Sequence, residues 1–365
     1  MTQWFIGSLR TGQITNYLPV SSGSWELELN SAGRIRVTVP MSDPDVQAIN
    51  LRNIATVGKT FLGVAENGVV LNAGPIWTHT YNRDDARLEL GATGVLGYYD
   101  YRSVLPALKS PDTDPTGLDS DYLNLSAGTV AKRLVQQAQQ ETGGTLPIVF
   151  QDDVAGTVEY EWDGSSLTTV ADAINDLSAV VDVDFTPRFT SDGSGIEWVL
   201  RTGTEASPQL AAQTVQTWDL SVTKPTVKGL QVTVSGTKLA GRVWETGSSA
   251  YARYDNTSLI NQGYPLLEQI DSAHSDEFDP IVLAGYAKEA ARVGTKPTEL
   301  WSFQAQADAQ PYVGAYRVGD WCVVKIGDDP YISRGAYSRR ITNMSGDQDG
   351  RWVSITTGET YSLTG

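Results

Sequence analysis

The chain has 365 residues, 40% of them hydrophobic and 35 of them glycine, with 43 acidic against 27 basic side chains and a formal charge of −16. This length accommodates two or three domains with cores of their own, and the composition excludes wholesale disorder. The acidic excess argues against nucleic-acid binding as the main task, which needs clustered Lys and Arg; one cysteine and two histidines exclude an internal disulfide and leave too few ligands for a structural zinc site.

Met1 to Arg10 has no basic start and no apolar stretch of signal-peptide length, and no apolar run reaches the roughly 18 residues of a membrane span. A soluble protein made in a reducing cytoplasm is expected. Residues 1–99, with eight acids and seven bases, read as β. Trp25, Leu27 and Leu29 alternate with Glu26, Glu28 and Asn30, and Ile35, Val37 and Val39 alternate with Arg34, Arg36 and Thr38. Period two with one apolar face is the signature of a half-buried strand. Asn30 to Gly33 predicts the turn between them, and further strands are predicted over 56–65, 69–80 and 86–96.

Residues 100–205 carry 18 acids and 6 bases, most of the charge of the molecule. Here the period changes. Ser126 is a helix N-cap followed by Val130, Leu134 and Ala138 at one-turn spacing, with Gly143-Gly144 as the stop. A second helix is predicted to start near Ser166, with Val170, Ile174, Leu177 and Val181 inward and Asp172 and Asp176 toward water. A strand over Val158 to Trp162 separates them, and a hairpin, Asp184–Phe189 with Ile196–Arg201, follows. Pro187 assigns its first strand to a sheet edge.

Strands resume at Thr217–Val222 and Leu230–Val234. One helix follows, capped by Asp279 with Pro280 in its first turn and Gly294 at its end, and then strands over 299–307, 320–326, 337–344 and 351–357. The predicted class is mainly β with α+β insertions: two β-barrel-like domains, 1–99 and 206–260 with 299–365, an acidic α+β domain over 100–205, and a helical insertion over 261–298. Trp25-Glu26-Leu27-Glu28-Leu29 then Val37-Thr38-Val39 is echoed by Trp218-Asp219-Leu220-Ser221-Val222 then Val232-Thr233-Val234. If the echo is a duplication, Trp25 and Trp218 occupy equivalent, buried places.

Candidate chemistry is sparse. Glu159, Glu161 and Asp163 alternate on one strand beside Tyr160 and Trp162, and Asp182 alternates with Asp184. A glycosidase needs two carboxylates across a cleft, whereas this spacing describes the wet face of a strand. Asp112 to Asp121 has the acidic start and the glycine, Gly117, of a calcium loop but Leu123 where the closing glutamate belongs. No phosphate-cradling, nucleophile-elbow or zinc-protease motif occurs. His79 lies in a strand-like run, His274 in a polar loop without a nucleophile partner, and Cys322 between Trp321 and Val323 reads as core. Arg334, Arg339 and Arg340 read as a solvated strand face or an interface element. No catalytic, cofactor or metal site is expected.

Four stretches, in order, resemble the minor tail proteins of long-tailed (siphovirus-type) bacteriophages, of the baseplate-hub or tail-associated kind. They are Gly7–Leu9 through Gly23–Gly33; Asp163–Val170 through Phe185; Trp218–Leu220 with Pro225–Val227 and Gln231–Gly236; and Val318–Trp321 through Arg339–Ile341. The resemblance implies a structural virion protein of the tail tip, made in the host cytoplasm, whose two β domains per subunit assemble as a homotrimer around a channel and present six similar surfaces to a hexameric tail. Its partners would be itself, distal tail or tail tube proteins, and tip or fibre proteins, with genomic DNA passing without specific binding. Some such proteins carry a C-terminal peptidase, lysin or fibre; this sequence stops at Gly365 just after its last predicted strand, so no enzyme activity is expected. The alternatives are a carbohydrate- or receptor-binding β protein of the virion and an acidic glycosidase.

Overall fold

The computed structural model describes residues 2–108, 110, 113–210, 215–272 and 278–358. The chain divides into two compact units, the first running to Gly229 and including Phe303–Thr356, the second holding Leu230–Ser302 and Thr357 onward.

The first unit opens with β1 (Gln3–Ser8), β2 (Ile14–Tyr17), β3 (Ser22–Glu28) and β4 (Arg34–Pro40), then short helices α1 (Pro44–Ala48) and α2 (Leu51–Ile54), then β5 (Thr60–Glu66), β6 (Val69–Asn82) and β7 (Arg87–Ala92). A 3-10 turn at Val95–Tyr101 leads into the α+β part: β8 (Ser120–Leu125), α3 (Ala127–Ala138), β9 (Ile148–Phe150), β10 (Val158–Trp162), α4 (Val170–Ser178), β11 (Val183–Phe189) and β12 (Ile196–Thr202). After β13 (Gln216–Asp219) and β14 (Val227–Ser235), the second unit contributes β15 (Arg242–Thr246), β16 (Tyr251–Asp255), α5 (Ser258–Asn261), β17 (Glu268–Asp271) and α6 (Pro280–Val293). The chain then forms β18 (Thr298–Gln306), β19 (Trp321–Ile326), β20 (Gly335–Asp347) and β21 (Trp352–Gly358).

The alternation read from the sequence becomes a sheet. Its path runs β14-β18-β21-β20-β3-β4-β7-β6-β5-β1-β2, with β19 on β20 and β13 on β19. The path is open, and no closed barrel forms among the described residues. The mainly β class with α+β insertions therefore stands, with the two β parts as sections of one sheet.

Those two sections repeat. Taking β1, β3, β4, β5, β6 and β7 as strands one to six, and β13, β14, β18, β19, β20 and β21 likewise, both read second, third, sixth, fifth, fourth, first. Local bonds give the register. Gly58 N–H donates to Ile76 O and Gly319 N–H to Ile341 O, both at 2.8 Å, and both glycines have positive φ. Met41 N–H donates to Ala86 O at 2.8 Å, as Ala307 N–H does to Arg351 O at 2.9 Å. The repeat differs at its first strand, because β1 is antiparallel to β5 while β13 is parallel to β19.

The equivalence expected of Trp25 and Trp218 is corrected. Both are buried, but Trp25 lies on β3, between β4 and β20, and Trp218 on β13, against β19. The strand in the place of β13 is β1.

In the α+β part, Ser126 caps α3 as expected, its Oγ accepting from Thr129 N–H at 3.2 Å. The second helix begins three residues later than predicted. Asp163 caps a 3-10 turn at Gly164–Ser166, Leu167 adopts a left-handed φ of 50°, and Thr169 then caps α4. Helices α3 and α4 share one core with β11 and β12 through Val130, Leu134, Ile174, Leu177 and Leu200. Pro187 lies on β11, an edge strand of β11-β12-β9, as its missing N–H requires. Trp198 enters a second core with Phe5 and Phe61, its Nε1–H donating to Ala73 O at 2.9 Å.

In the second unit Asp279 and Pro280 start α6 as expected. The helix packs Ala287 and Ala291 on Val243 of a three-stranded sheet, β16-β15-β17, absent from the sequence expectation. Those strands are four or five residues long with charged faces, so no long apolar alternation marks them. No helix among the described residues is long and apolar enough to cross a membrane.

Candidate functional site

Alternation sends Ile35, Val37, Leu88, Leu90, Val353 and Ile355 into the core, so their neighbours form the opposite face of the sheet in the first unit. That face has two shallow hollows. The larger, about 600 Å³, is lined by Glu26, Arg34, Arg36, Lys228, Gln304, Ser345 and Asp347 among others. The second, about 420 Å³, is lined by Ser22, Ser24, Thr38, Thr78, Thr80 and Glu89 among others. Three cations (Arg34, Arg36, Lys228) stand with three carboxylates (Glu26, Glu89, Asp347), and most other polar lining residues are serine, threonine or glutamine. Lys228 Nζ lies 3.7 Å from the ring centre of Trp352, and Asn343 Nδ2 donates to Glu26 Oε1 at 3.2 Å. The surface is broad, wet and charge-balanced. Neither His79 nor Cys322 is among its lining residues.

The sequence candidates do not converge there. Glu159 and Glu161 are exposed on β10, while Tyr160 and Trp162 turn to the other side and pack against the α3–α4 core. Glu161 is registered opposite Asp121, carboxylate against carboxylate on an open face. Asp163 accepts from Ser165 N–H at 2.7 Å, and the Ser165 hydroxyl together with that N–H holds its carboxyl below the usual range. His79 Nδ1 lies 3.4 Å from Ala55 O. His274 and Asp112 lie outside the described residues. Asp114 accepts from Thr116 N–H at 2.9 Å in a turn, and no group of metal-ligating side chains occurs among the described residues. Cys322 is buried, and desolvation pushes its thiol up to about 12.

The arginine reading is corrected. Only Arg334 is solvated, 3.8 Å from Asp328. Arg339 and Arg340 are 2% and 5% exposed. Arg340 Nη2 pairs with Asp182 Oδ2, and its Nε–H donates to Gly319 O at 3.0 Å. The same Asp182 oxygen accepts from Leu210 N–H at 2.8 Å. Beside this pair, desolvation raises the Asp184 carboxyl, opposed by the hydroxyl of Thr186 and by Arg201 and Arg317. Asp320 is raised by the same cause against the N–H of Arg317. Ionic side chains thus tie the α+β part to β20. The sequence does carry a signal for this. Consecutive residues of a strand point to opposite faces, so Arg339 and Arg340 cannot both lie on one solvated face.

No family model matches the sequence, and no curated protein matches it. Solved structures do match. The tail protein from Neisseria meningitidis MC58 superposes with a TM-score of 0.57 at 14% identity, covering 98% of this chain and 96% of that one. The 43 kDa tail protein of prophage MuSo2 from Shewanella oneidensis gives 0.58 at 10% identity, with 98% and 96% covered. Prophage tail protein gp18 from Listeria monocytogenes EGD-e gives 0.50 at 9% identity, with 99% and 95% covered. At these identities the likeness is one of fold, and it extends over nearly the whole of each chain.

Proposed function

We propose that the chain is a structural minor tail protein of a phage-type tail, a baseplate hub at the tail tip that adapts a hexameric tail to a trimeric tip and lets DNA pass. The observation that carries this reading is the repeated strand order within one sheet. A threefold ring meets a sixfold tube only by offering six similar surfaces, and three copies of a chain with two like sections supply them. The likeness of the whole fold to the Neisseria tail protein and the MuSo2 prophage tail protein supports the tail assignment. In this reading 1–99 and 206–260 with 299–365 are the two hub sections, and 100–205 and 261–298 are insertions.

The polar face of the sheet is the channel wall. Phosphates bind where cations are in excess, and across the two hollows together Arg34, Arg36 and Lys228 stand against Glu26, Glu89 and Asp347, so the face as a whole offers DNA no net attraction. The partners are further copies of this chain, the distal tail or tube protein, and the tip or fibre protein, all in the virion after synthesis in the host cytoplasm. No catalytic, cofactor or metal role is assigned. The sugar-binding alternative is weakened, because five of the ten tryptophans, Trp4, Trp25, Trp198, Trp218 and Trp301, are core residues and cannot stack on a ligand. Native mass spectrometry of the purified chain and electron microscopy of the particle test the proposal together: a three-copy mass and a threefold ring at the tail tip are expected. Monomers in solution and no threefold density in the particle overturn it. Incubation with peptidoglycan, polysaccharide and peptide substrates should release nothing above background.

A further inference from the structure

The seam between the two sections predicts the contact between copies. Along one edge, β20 first meets β19 over Gly335–Arg340 and then β3 over Asn343–Asp347. Its counterpart β6 meets β5 as far as Pro75, but over Thr78–Asn82 it pairs with β7 alone. Among the described residues, no strand takes beside Thr78–Asn82 of β6 the place that β3 fills beside β20. The counterpart of β3 is β14, which ends the strand order with no neighbour on its outer edge among the described residues. A vacant place and a spare strand of the matching kind therefore exist at the two ends of one chain.

The chemistry of both edges fits pairing. Exposed edge strands are ordinarily blunted by charge, proline or bulges. From Gly229 to Ser235, β14 has no charged residue and no proline. Val234 is 51% exposed there, and Tyr81 on β6 is 54% exposed. Two β-prone, uncharged edges left open are templates for strand addition.

We propose that Thr78–Asn82 of one copy pairs antiparallel with the outer edge of β14 of a second copy, reproducing the β20–β3 seam. This rests on the trimeric reading above. The register is transferable. Ile76 corresponds to Ile341 through the shared glycine bond, so Thr80 corresponds to Ser345. Gln306 N–H donates to Thr226 O, which aligns β14 on β18 as β3 lies on β4 and makes Val232 the counterpart of Glu26. Ser345 is registered opposite Glu26, so Thr80 lies opposite Val232 of the next copy, Tyr81 opposite Gln231 and His79 opposite Thr233. Each chain gives one edge and accepts the other, a head-to-tail contact that closes as a ring.

Disulfide trapping tests it cleanly, because the native Cys322 is buried. A Thr80→Cys/Val232→Cys chain, oxidised at neutral pH, should give covalent dimers and trimers that reductant dissolves. Each single variant should give neither, and Glu26→Cys/Ser345→Cys should close within one chain without change of mass. Thr233→Pro is the second arm. Leu29, the residue after β3, donates its N–H to Thr342 O across the seam, and by alternation from it the N–H of Thr233, the counterpart of Leu27, points outward. Proline there should leave the circular dichroism of the chain unchanged and abolish the trimer. Trimers that persist in Thr233→Pro, or that fail to cross-link at Thr80/Val232 and at Tyr81/Gln231, overturn the seam and leave the trimeric reading intact. Absence of any three-copy species of the unmodified chain, in solution and in the particle, overturns both.

Discussion

Arg340 and Asp182 show how far a single residue departs from its sequence pattern. Both are charged, both sit in strand-rich stretches, and both are buried against each other. Removing one partner leaves a charge without compensation in a low-dielectric site, which costs about 3–5 kcal/mol. Asp182→Ala should lose stability on that scale in urea titrations at pH 7, and Arg340→Met likewise; the double variant should recover part of the loss. A second residue-level expectation concerns pH. The carboxyls of Asp184 and Asp320 are raised in the fold, chiefly by desolvation. A raised carboxyl holds its proton more tightly folded than unfolded. Its contribution is complete below the ordinary aspartate value near 4 and is lost as pH rises through the folded value. Stability of the unmodified chain should therefore carry a component that falls as pH rises above about 4, and Asp184→Asn should flatten it. An unchanged slope in unfolding experiments at stepped pH would remove Asp184 from the account. The adjacency of Arg339 and Arg340 shows that one of them leaves the solvated face, but its partner is not legible from spacing, since Asp182 and Arg340 lie 158 positions apart.

At the scale of elements, local signals served where capping and proline act, because those effects are decided within a few residues. The N-caps Ser126 and Asp279 and the edge strand at Pro187 are of this kind. The start of α4 was misplaced because Ser166 and Thr169 are both plausible caps, and the left-handed Leu167 between them is a tertiary outcome. The opening turn of α3 carries a prediction whose sign runs against propensity. Alanine is a better helix former than glycine by about 1 kcal/mol, so Gly128→Ala looks favourable from sequence. In the fold, a Cβ on Gly128 would lie 2.1 Å from Gly203 O and 2.6 Å from Thr202 Oγ1. Backbone cannot retreat cheaply, and overpacking costs about 1–3 kcal/mol. Gly128→Ala should lower the melting temperature, and Ser126→Ala should lower it by the equivalent of about 1 kcal/mol through loss of the cap. A stabilised Gly128→Ala would mean that the α3–β12 contact yields more readily than its spacing implies.

For the whole molecule the echo in the sequence did not mark equivalent strands, and the repeat stands on strand order alone. The Trp25 and Trp218 stretches match in residue type, whereas the strand orders equate β3 with β14 and β4 with β18. Hydrogen-bonded order is a long-range property that periodicity does not encode, and β3 and β14 have diverged in composition, with Ser24 and Glu26 against Leu230 and Val232. The corrected equivalence changes what the two tryptophans should do. Trp25 stands at the join of the sections: β4 lies on one side of its strand and β20 on the other, and a Cβ on Gly346 of β20 would come within 2.8 Å of its ring. Trp218 lies inside the second section, edge-on to Phe303 at 5.2 Å and Tyr316 at 5.0 Å. Each truncation to alanine should cost about 3–5 kcal/mol. Their distribution should differ. Because the sheet runs unbroken through β3, Trp25→Ala should raise hydrogen exchange in β5–β6 and in β20–β21 together, as one cooperative opening. Trp218→Ala should act first on β13 and β19, at the far end of the second section, and reach β5–β6 only through global unfolding. Exchange that responds to Trp25→Ala in one section alone would mean that the two repeats fold as independent bodies and that the β20–β3 seam transmits no stability between them.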